Sequence, residues 1–341
     1  MLGNRTFHLS NTSVLSVEAE DAPRIVTSAQ FDEQLHGTYE RLGLRPGMLD
    51  GLVGIRERRW WDDGVTHVEG AAMAGAKAIA ESGIDSADIG LMVNTSVSRA
   101  HLEPSTAVAV HHALGLADHC QNFDVSNACL GFVNGMQIAA AMIESGQVEY
   151  ALIVNGEDAR AVQEATLARL VGPETTVATL MDEFATLTLG SGAVAMVLGP
   201  ADRHPEGHRL LGGASRAGTE HHQLCVGDLD MMRTDARGLL AAGITLSRAL
   251  WVEAAGEFDW ASGMDRYIIH QVSQVHTGAV CEALGVDKSK VPLTFPTYGN
   301  IGPASVPFTL AKEKQDLQLG DRVLLMGIGS GLNASCTEIA W

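Results

Sequence analysis

The amino-acid sequence predicts an α/β fold built from two similar units. Short apolar segments typical of buried strands alternate with segments of helical periodicity along the chain. The second half repeats the strand and helix order of the first. With 341 residues, 46% of them hydrophobic, the chain can bury a large core. A polar, turn-rich segment at residues 199–207 marks the junction, so we predict halves at 1–200 and 201–341.

The first unit contains four apolar segments and two helical ones. Ser105 and Thr106 are helix-capping residue types at the start of the first helix. The second helix is predicted to begin at Cys129, directly after a strand. We predict strands at residues 89–94, 123–128, 150–154 and 193–198, and helices at residues 104–114 and 129–143.

The second unit shows the same order with diverged sequence. A strand at residues 267–269 precedes a helix at 275–284 that ends at Gly285, a common helix terminator. The segment that begins at Asn300 then leads to a strand at residues 322–326. Asn300 therefore occupies the strand-to-helix corner that corresponds to the corner of Cys129 in the first unit.

Two insertions interrupt the repeated pattern, at residues 157–188 and 216–262. Their periodicity is mostly helical. We expect both to cap the core, and caps beside an active site usually shape a substrate tunnel.

The charge composition limits the ligands that the protein can bind. The net charge is −18, with 23 basic and 41 acidic residues, which argues against a nucleic-acid partner. A phosphate-bearing ligand would need a local basic patch. The densest patch comprises Arg56, Arg58 and Arg59, and it is equally compatible with coenzyme binding and with an exposed structural cluster.

The five cysteines show no metal-ligand or disulfide spacing, so we expect no metal site and a cytoplasmic location. Residues 1–6 lack the apolar core of a signal peptide. No apolar run is long enough to span a membrane.

Cys129 is the strongest candidate for chemistry. A thiol at a helix N-terminus is close to the positive end of the helix dipole and to unpaired N–H groups, which favour the thiolate. Considered alone, a cysteine such as Cys129 is more often a small buried core residue. His270 follows an apolar strand and Asn300 lies in a glycine-rich turn. Each of these has an ordinary structural interpretation when taken singly.

Taken together, these three residues resemble a known triad. Cysteine at a strand-to-helix corner, histidine after an apolar strand and asparagine in a G-N-x-G-x-A-S turn are similar to the Cys-His-Asn triad of thiolase-superfamily condensing enzymes of the ketoacyl synthase III type. The spacings of 141 and 30 residues fit that group. The resemblance covers essentially the whole chain. It implies a five-layered αβαβα thiolase fold, a homodimer formed through the first half and a buried site reached by a pantetheine tunnel.

Residues 98–106, with the sequence SRAHLEPST, narrow the resemblance to the OleA family of acyl-CoA condensing enzymes. In that family a glutamate from this segment reaches across the dimer into the neighbouring active site. Glu103 occupies the matching position. Without the resemblance, Glu103 would be interpreted as a carboxylate favoured at a helix start.

The resemblance assigns a role to each residue. Cys129 would be the acylated nucleophile, and its own N–H with Ser330 and Gly331 would form the oxyanion hole. His270 and Asn300 would stabilise the enolate of the second acyl group.

Glu103 would act as the general base, with its pKa raised by partial burial beside acyl chains. Relatives that use malonyl groups obtain the enolate by losing carbon dioxide and need no such base.

The predicted activity is a non-decarboxylative Claisen condensation of two fatty acyl-CoA molecules to a 2-alkyl-3-ketoacyl-CoA, the first step of long-chain olefin or related β-lactone or ketone synthesis. Coenzyme A would enter only as part of the substrates, with no permanently bound cofactor. Downstream pathway enzymes are possible partners. One alternative is decarboxylative condensation with malonyl-ACP, and another is a non-catalytic subunit of a condensing heterodimer.

Two departures limit what can be transferred from relatives. Residues 48–55 lack the W-I-x-x-R-T-G-I segment whose tryptophan and arginine contact coenzyme A in ketoacyl synthases. Residues 327–331 lack the second cysteine of the thiolase C-I-G-G-G motif, which argues against thiolase chemistry.

Overall fold

The computed structural model describes residues 5–341. Residues 1–4, which begin the segment for which we predict no signal peptide, lie outside the described residues. The described chain contains fourteen strands: β1 (Thr6–His8), β2 (Thr12–Asp21), β3 (Arg24–Thr27), β4 (Glu57–Trp60), β5 (Ile89–Asn94), β6 (Gln121–Asp124), β7 (Tyr150–Glu157), β8 (Gly192–Pro200), β9 (His208–Ala217), β10 (Cys225–Gly227), β11 (Met232–Thr234), β12 (Arg266–Ile269), β13 (Arg322–Gly329) and β14 (Asn333–Ala340).

Eleven α-helices alternate with these strands in the described part of the chain. They are α1 (Ser28–Gln34), α2 (His36–Leu42), α3 (His67–Ser82), α4 (Thr106–Leu114), α5 (Gly131–Glu144), α6 (Arg160–Leu170), α7 (Val177–Glu183), α8 (Ala236–Ala254), α9 (Gln274–Leu284), α10 (Phe295–Tyr298) and α11 (Ser305–Glu313). None of the helices within residues 5–341 is both long and apolar enough to cross a bilayer.

The two halves of the chain have the same strand topology. In the first half, β2 is antiparallel to β8, β8 is antiparallel to β7, and β7 is parallel to β5. In the second half, β9, β14, β13 and β12 pair in the same order and the same directions. A short pairing of β2 with β9 joins the two sheets edge to edge. The internal repeat seen in the sequence is therefore present in the fold.

Side-chain alternation along the strands produces five layers. Val93 and Ile268 face a central core that also contains residues of α5 and α11, so these two helices lie between the sheets. Met92 faces the opposite way, into a second core with α3 and α4. Ile269 faces a third core with α8 and α9. The order helix, sheet, helix, sheet, helix is the predicted αβαβα arrangement.

Several predicted bounds agree with the structure. The helix predicted at 275–284 is α9, and its C-cap Gly285 has φ 68° as a left-handed terminator requires. The helix predicted at 104–114 begins at Thr106, after Ser105. The insertion at 157–188 contains α6 and α7, as its periodicity predicts.

Other bounds differ for physical reasons. The strand predicted at 123–128 is the edge strand β6, which ends at Asp124 and is only half-buried. The helix predicted to begin at Cys129 begins at Gly131. The insertion at 216–262 contains α8 and also the hairpin of β10 and β11, whose strands are too short to show a periodicity.

Candidate active site

Cys129 lies on the tight turn that joins β6 to α5. The preceding residue, Ala128, has φ 45°, a left-handed conformation that is unusual for a residue with a side chain. The turn is closed by hydrogen bonds from the Leu130 N–H to the Asn127 carbonyl (3.0 Å) and from the Gly131 N–H to the Ala128 carbonyl (3.1 Å). Cys129 thus precedes the helix by two residues, and a strained turn presents it.

The resting thiol of Cys129 is protonated. Burial is the largest cause that raises its pKa to about 12, and the nearby Cys225 and Glu157 raise it further. The residue's own backbone N–H acts in the opposite direction but is weaker. The expectation that the helix N-terminus favours the thiolate is therefore wrong, because desolvation outweighs the backbone N–H that lowers the pKa.

The end of β13 packs directly against the nucleophile turn. A Cβ on Gly329 would lie 2.6 Å from the Asn127 carbonyl oxygen and 3.2 Å from the Leu130 nitrogen, and one on Gly327 would lie 2.5 Å from the Leu130 side chain. Only glycine permits this approach. The predicted oxyanion-hole residues Ser330 and Gly331 follow directly in the β13–β14 turn. That turn is tied back by the Asn333 amide, which donates to Asn127 Oδ1 at 3.1 Å.

His270 directly follows β12, which pairs in parallel with β13. Its backbone N–H donates to the Met326 carbonyl on β13 at 2.8 Å. Burial lowers the pKa of His270 to about 3, with a smaller contribution from His276. The buried Nδ1 atom has no hydrogen-bond partner among the described residues. The ring is therefore neutral, and it can donate one N–H but cannot act as a cation.

Asn300 lies in a turn whose backbone pairs with residues 188–190, at the end of the first insertion. Its backbone N–H donates to the Thr188 carbonyl (2.8 Å), and its own carbonyl accepts from the Gly190 N–H (3.0 Å). Its side-chain Oδ1 accepts from the Gly302 N–H at 3.0 Å. The oxygen is occupied, so the side-chain amide presents Nδ2, a donor, to its surroundings.

The segments that carry the three corners pack around α5 and the turn before it. Ile301 and Ala304, next to Asn300, pack in the central core with Leu130 and Val133 of the nucleophile corner. The last residues of β13 contact both the Cys129 turn and the backbone of His270. The fold thus places in one region the segments that carry Cys129, His270 and Asn300. A thiol, a neutral imidazole and an amide donor are groups suited to acyl transfer through a thioester, and their joint action stays a prediction.

Glu157 is a buried carboxyl group that the sequence analysis did not single out. It ends β7, only 7% of its surface is exposed, and burial raises its pKa to about 7. Its neighbours are Cys129, whose pKa it raises, and Gly302, where a Cβ would lie 3.7 Å from its carboxyl carbon. The apolar pattern predicts a strand that ends at residue 154, which places Glu157 in the insertion at 157–188, whereas β7 extends to Glu157. The signal that could have found it is a carboxylate directly after an apolar strand.

Glu103 lies in an exposed loop between β5 and α4. Leu102 beside it is 89% exposed. The burial expected for Glu103 is therefore not found within one protomer. A base that acts across a dimer interface requires an outward position of this kind, and its across-dimer role stays a prediction.

The basic cluster is divided by the structure. Arg58 is fully buried, donates to the Leu187 carbonyl (3.2 Å) and to Ser28 Oγ (3.0 Å), and stacks on Phe31. Its predicted contact with coenzyme A is wrong, because its guanidinium is enclosed and already bonded. Arg59 is half-buried against Tyr298, and only Arg56 is exposed.

Comparison with known proteins decides the family. An acyl-CoA:acyl-CoA alkyltransferase of Xanthomonas campestris is 47% identical over 334 residues, which cover 97% of this chain and 99% of the relative. This chain belongs to the OleA family of acyl-CoA:acyl-CoA alkyltransferases. Residues 123–217 match the family 3-oxoacyl-[acyl-carrier-protein] synthase III, and residues 261–341 match its C-terminal family.

Other OleA-family and synthase relatives support the assignment. An alkyltransferase of Shewanella oneidensis is 37% identical over 97% of this chain and 99% of its own length. A β-ketoacyl-[acyl-carrier-protein] synthase III of Natranaerobius thermophilus is 26% identical over 98% of this chain and all of its own length. The two alkyltransferases are thus much more similar to this chain than this synthase is.

Solved structures of Xanthomonas campestris OleA have the same fold. The cerulenin-bound form has a TM-score of 0.96 and 46% identity over 98% of both chains. A cysteine-to-serine variant with bound lauric acid and lauroyl-CoA gives the same score and identity over 98% of this chain and all of that one. Other structures of that OleA replace a glutamate or a histidine. The predicted thiolase fold and OleA-type identity are confirmed.

Proposed function

We propose that this enzyme joins two fatty acyl-CoA molecules by a Claisen condensation without decarboxylation and releases a 2-alkyl-3-ketoacyl-CoA. The observation that carries the proposal is that the segments bearing Cys129, His270 and Asn300 pack around α5 and the turn before it. Membership of the acyl-CoA:acyl-CoA alkyltransferase family supports the use of two acyl-CoA substrates. The lauroyl-CoA bound to the Xanthomonas protein supports fatty acyl-CoA as the substrate class.

The first half-reaction acylates Cys129. Its thiol loses a proton as the sulfur attacks the carbonyl carbon of the first acyl-CoA, and the C–S bond to coenzyme A breaks so that coenzyme A leaves as the thiol. The negative oxygen of the tetrahedral intermediate is met by the Cys129 N–H and by the Ser330–Gly331 turn. Since burial raises the pKa of the resting thiol to about 12, proton loss is coupled to attack rather than completed beforehand.

The second half-reaction forms the carbon–carbon bond. Glu103 of the partner protomer takes an α-proton from the second acyl-CoA, and the enolate oxygen accepts hydrogen bonds from His270 and the Asn300 amide. The α-carbon then attacks the acyl-Cys129 carbonyl, the C–C bond forms, and the bond to sulfur breaks to regenerate Cys129. A neutral imidazole suits this donor role, since it lets the ring donate without first gaining a proton.

The remaining assignments follow from the same chemistry. Coenzyme A enters and leaves with the substrates, so no permanently bound cofactor is required. The across-dimer role proposed for Glu103 requires a homodimer, and the exposed position of its loop is compatible with that role. The product is the first intermediate of a route to long-chain olefins, ketones or β-lactones, which downstream enzymes would complete in the cytoplasm.

The test separates the two half-reactions. Cys129→Ala should abolish acylation, which is read by the intact mass of the protein after incubation with lauroyl-CoA. Glu103→Gln should accumulate the acyl form of Cys129 while condensation falls at least about 100-fold, in the range for loss of a general base. Full condensation by the Glu103→Gln protein would reject the assigned base. Absence of a protein-bound acyl group in the wild type would reject the acyl-Cys mechanism.

A further inference from the structure

The Glu103 loop, residues 97–105, connects β5 to α4 and is tied down at both ends. Asp124, the last residue of β6, binds the far end: its carboxylate accepts from the Thr106 N–H (3.1 Å) and the Ala107 N–H (2.8 Å), and it also accepts from Arg99 Nη1 (2.7 Å) near the start of the loop. The exposed stretch with Glu103 lies between this clamp and a second one. The position of Glu103 therefore depends on both clamps.

Glu157 binds the near end of the loop. One carboxylate oxygen accepts from the Val97 N–H at 2.8 Å, and the other accepts from both the Ser98 N–H (3.0 Å) and Ser98 Oγ (2.7 Å). The Asp158 N–H donates back to Ser98 Oγ at 2.9 Å. Three donors converge on one buried carboxyl group, and its ionised form can accept from all three whereas a neutral amide cannot.

The same carboxyl group belongs to the active site of its own protomer. It lies close enough to Cys129 to raise the pKa of the thiol, after burial and Cys225, and it packs under the Asn300 turn at Gly302. Glu157 thus contacts the nucleophile pocket on one side and the base of the Glu103 loop on the other. None of the chemical steps above uses it.

We propose that Glu157 is a positioning residue for carbon–carbon bond formation: it anchors the loop that delivers Glu103 to the partner's active site. The inference rests on the proposed function, in which Glu103 acts across the dimer. A small displacement of a general base lowers the rate steeply, because proton transfer needs hydrogen-bond reach. Glu157 should therefore influence condensation in the neighbouring site more than in its own.

Mixed dimers test this directly. Co-expression of two differently tagged chains, one Cys129→Ala and the other Glu103→Gln, gives dimers with a single complete site. That site takes Cys129 from the Glu103→Gln chain and Glu103 from the Cys129→Ala chain. Glu157→Gln is then added to one chain or the other, and condensation of lauroyl-CoA is measured.

We expect the loss of condensation to be at least tenfold greater when Glu157→Gln is in the chain that supplies Glu103. In that arrangement, acylation of Cys129, followed by intact mass, should stay within twofold of the reference dimer, since the Cys129 pocket is unaltered. Glu282→Gln is a matched change at an exposed position on α9. The rate of condensation should be the same whichever chain carries this control substitution.

Equal losses from both placements would overturn the inference while leaving the proposed function standing. An inactive reference dimer would instead reject the across-dimer base, and this inference with it. Ser98→Ala provides a milder second variant if Glu157→Gln folds poorly, because it removes one of the three bonds and leaves the carboxylate paired. It should show the same chain dependence with a smaller loss, and equal losses would again count against Glu157 as the anchor.

Discussion

The Oδ1 atom of Asn300 accepts a hydrogen bond from the Gly302 N–H at 3.0 Å, which fixes the orientation of the side-chain amide. Its Nδ2 atom is therefore the group available to a substrate oxygen. Gly302 has φ 55°, so the turn that makes this bond uses a left-handed conformation. A local backbone contact thus orients the amide so that Nδ2 is the atom from which residue 300 would donate in the proposed mechanism.

Asn300→Asp should lose condensation while keeping acylation. Aspartate keeps the bond to Gly302 but has no N–H to donate, and its charge repels an enolate. Loss of one donor of this kind lowers the rate by about 100-fold or more. Product formation and acyl-Cys129 are measured in parallel. An equal loss of both activities would assign Asn300 to folding of the pocket instead.

Gly329→Ala should damage the nucleophile turn. The added methyl group would lie 2.6 Å from the Asn127 carbonyl oxygen, so the turn or β13 must move. We expect acylation of Cys129 to fall at least tenfold, measured as the first release of coenzyme A in a single turnover. Gly256→Ala is the matched control, because a Cβ there has no neighbour within 4 Å. Unaltered acylation in Gly329→Ala would contradict the assigned close packing.

His276→Gln should flatten the acid dependence of stability. Burial lowers the pKa of His276 to about 4, from 6.5 in the unfolded chain. Between these values the unfolded chain binds more protons, so the free energy of unfolding falls as pH falls from 6.5 toward 4. Removing this group should reduce the slope by up to about 1.4 kcal/mol per pH unit.

Urea unfolding at pH 7.5, 6 and 5 measures that slope. The exposed His222 provides the control, since His222→Gln removes a histidine without removing a buried one. If the two variants change the slope equally, burial of His276 is not the cause of the acid dependence.

Arg58 and Arg56 should show opposite phenotypes. Arg58→Lys loses the stacked, multiply bonded guanidinium, and we expect about 2 kcal/mol less unfolding free energy with an unchanged KM for acyl-CoA. Arg56→Ala, at the exposed position, should leave stability unchanged and raise the KM by weakening a phosphate contact. If Arg58→Lys instead raised the KM for acyl-CoA and left stability normal, the conclusion that Arg58 does not contact coenzyme A would be contradicted.

Local patterns in the sequence predicted the α/β class and the internal repeat, whereas the five-layered arrangement and the roles of the three corners came only from the resemblance to thiolase-superfamily enzymes. Apolar strands, a helix terminator at Gly285 and the repeat that aligns Cys129 with Asn300 are local signals, and the structure preserves them. These signals are informative because the apolar pattern of a strand and the glycine that ends a helix both lie within the segment itself. The strand pairing of the two halves then brings the corners together.

Burial was not readable from the sequence. In the sequence, Arg58 resembles a surface cation beside Arg56 and Arg59. In the structure it is fully buried and donates to a backbone carbonyl. Glu157 was assigned to a cap because the end of β7 depends on its pairing with β8 rather than on local pattern. The pKa of Cys129 likewise depends on desolvation by residues distant in the chain.

The most direct test of the central claim is the mass of the product formed from a single fatty acyl-CoA with no malonyl thioester present. Lauroyl-CoA alone should yield a β-keto product that carries the carbon atoms of both acyl chains, with one coenzyme A released per product and no carbon dioxide. Product that appears only when labelled malonyl thioester is added, with labelled carbon dioxide released, would contradict the account.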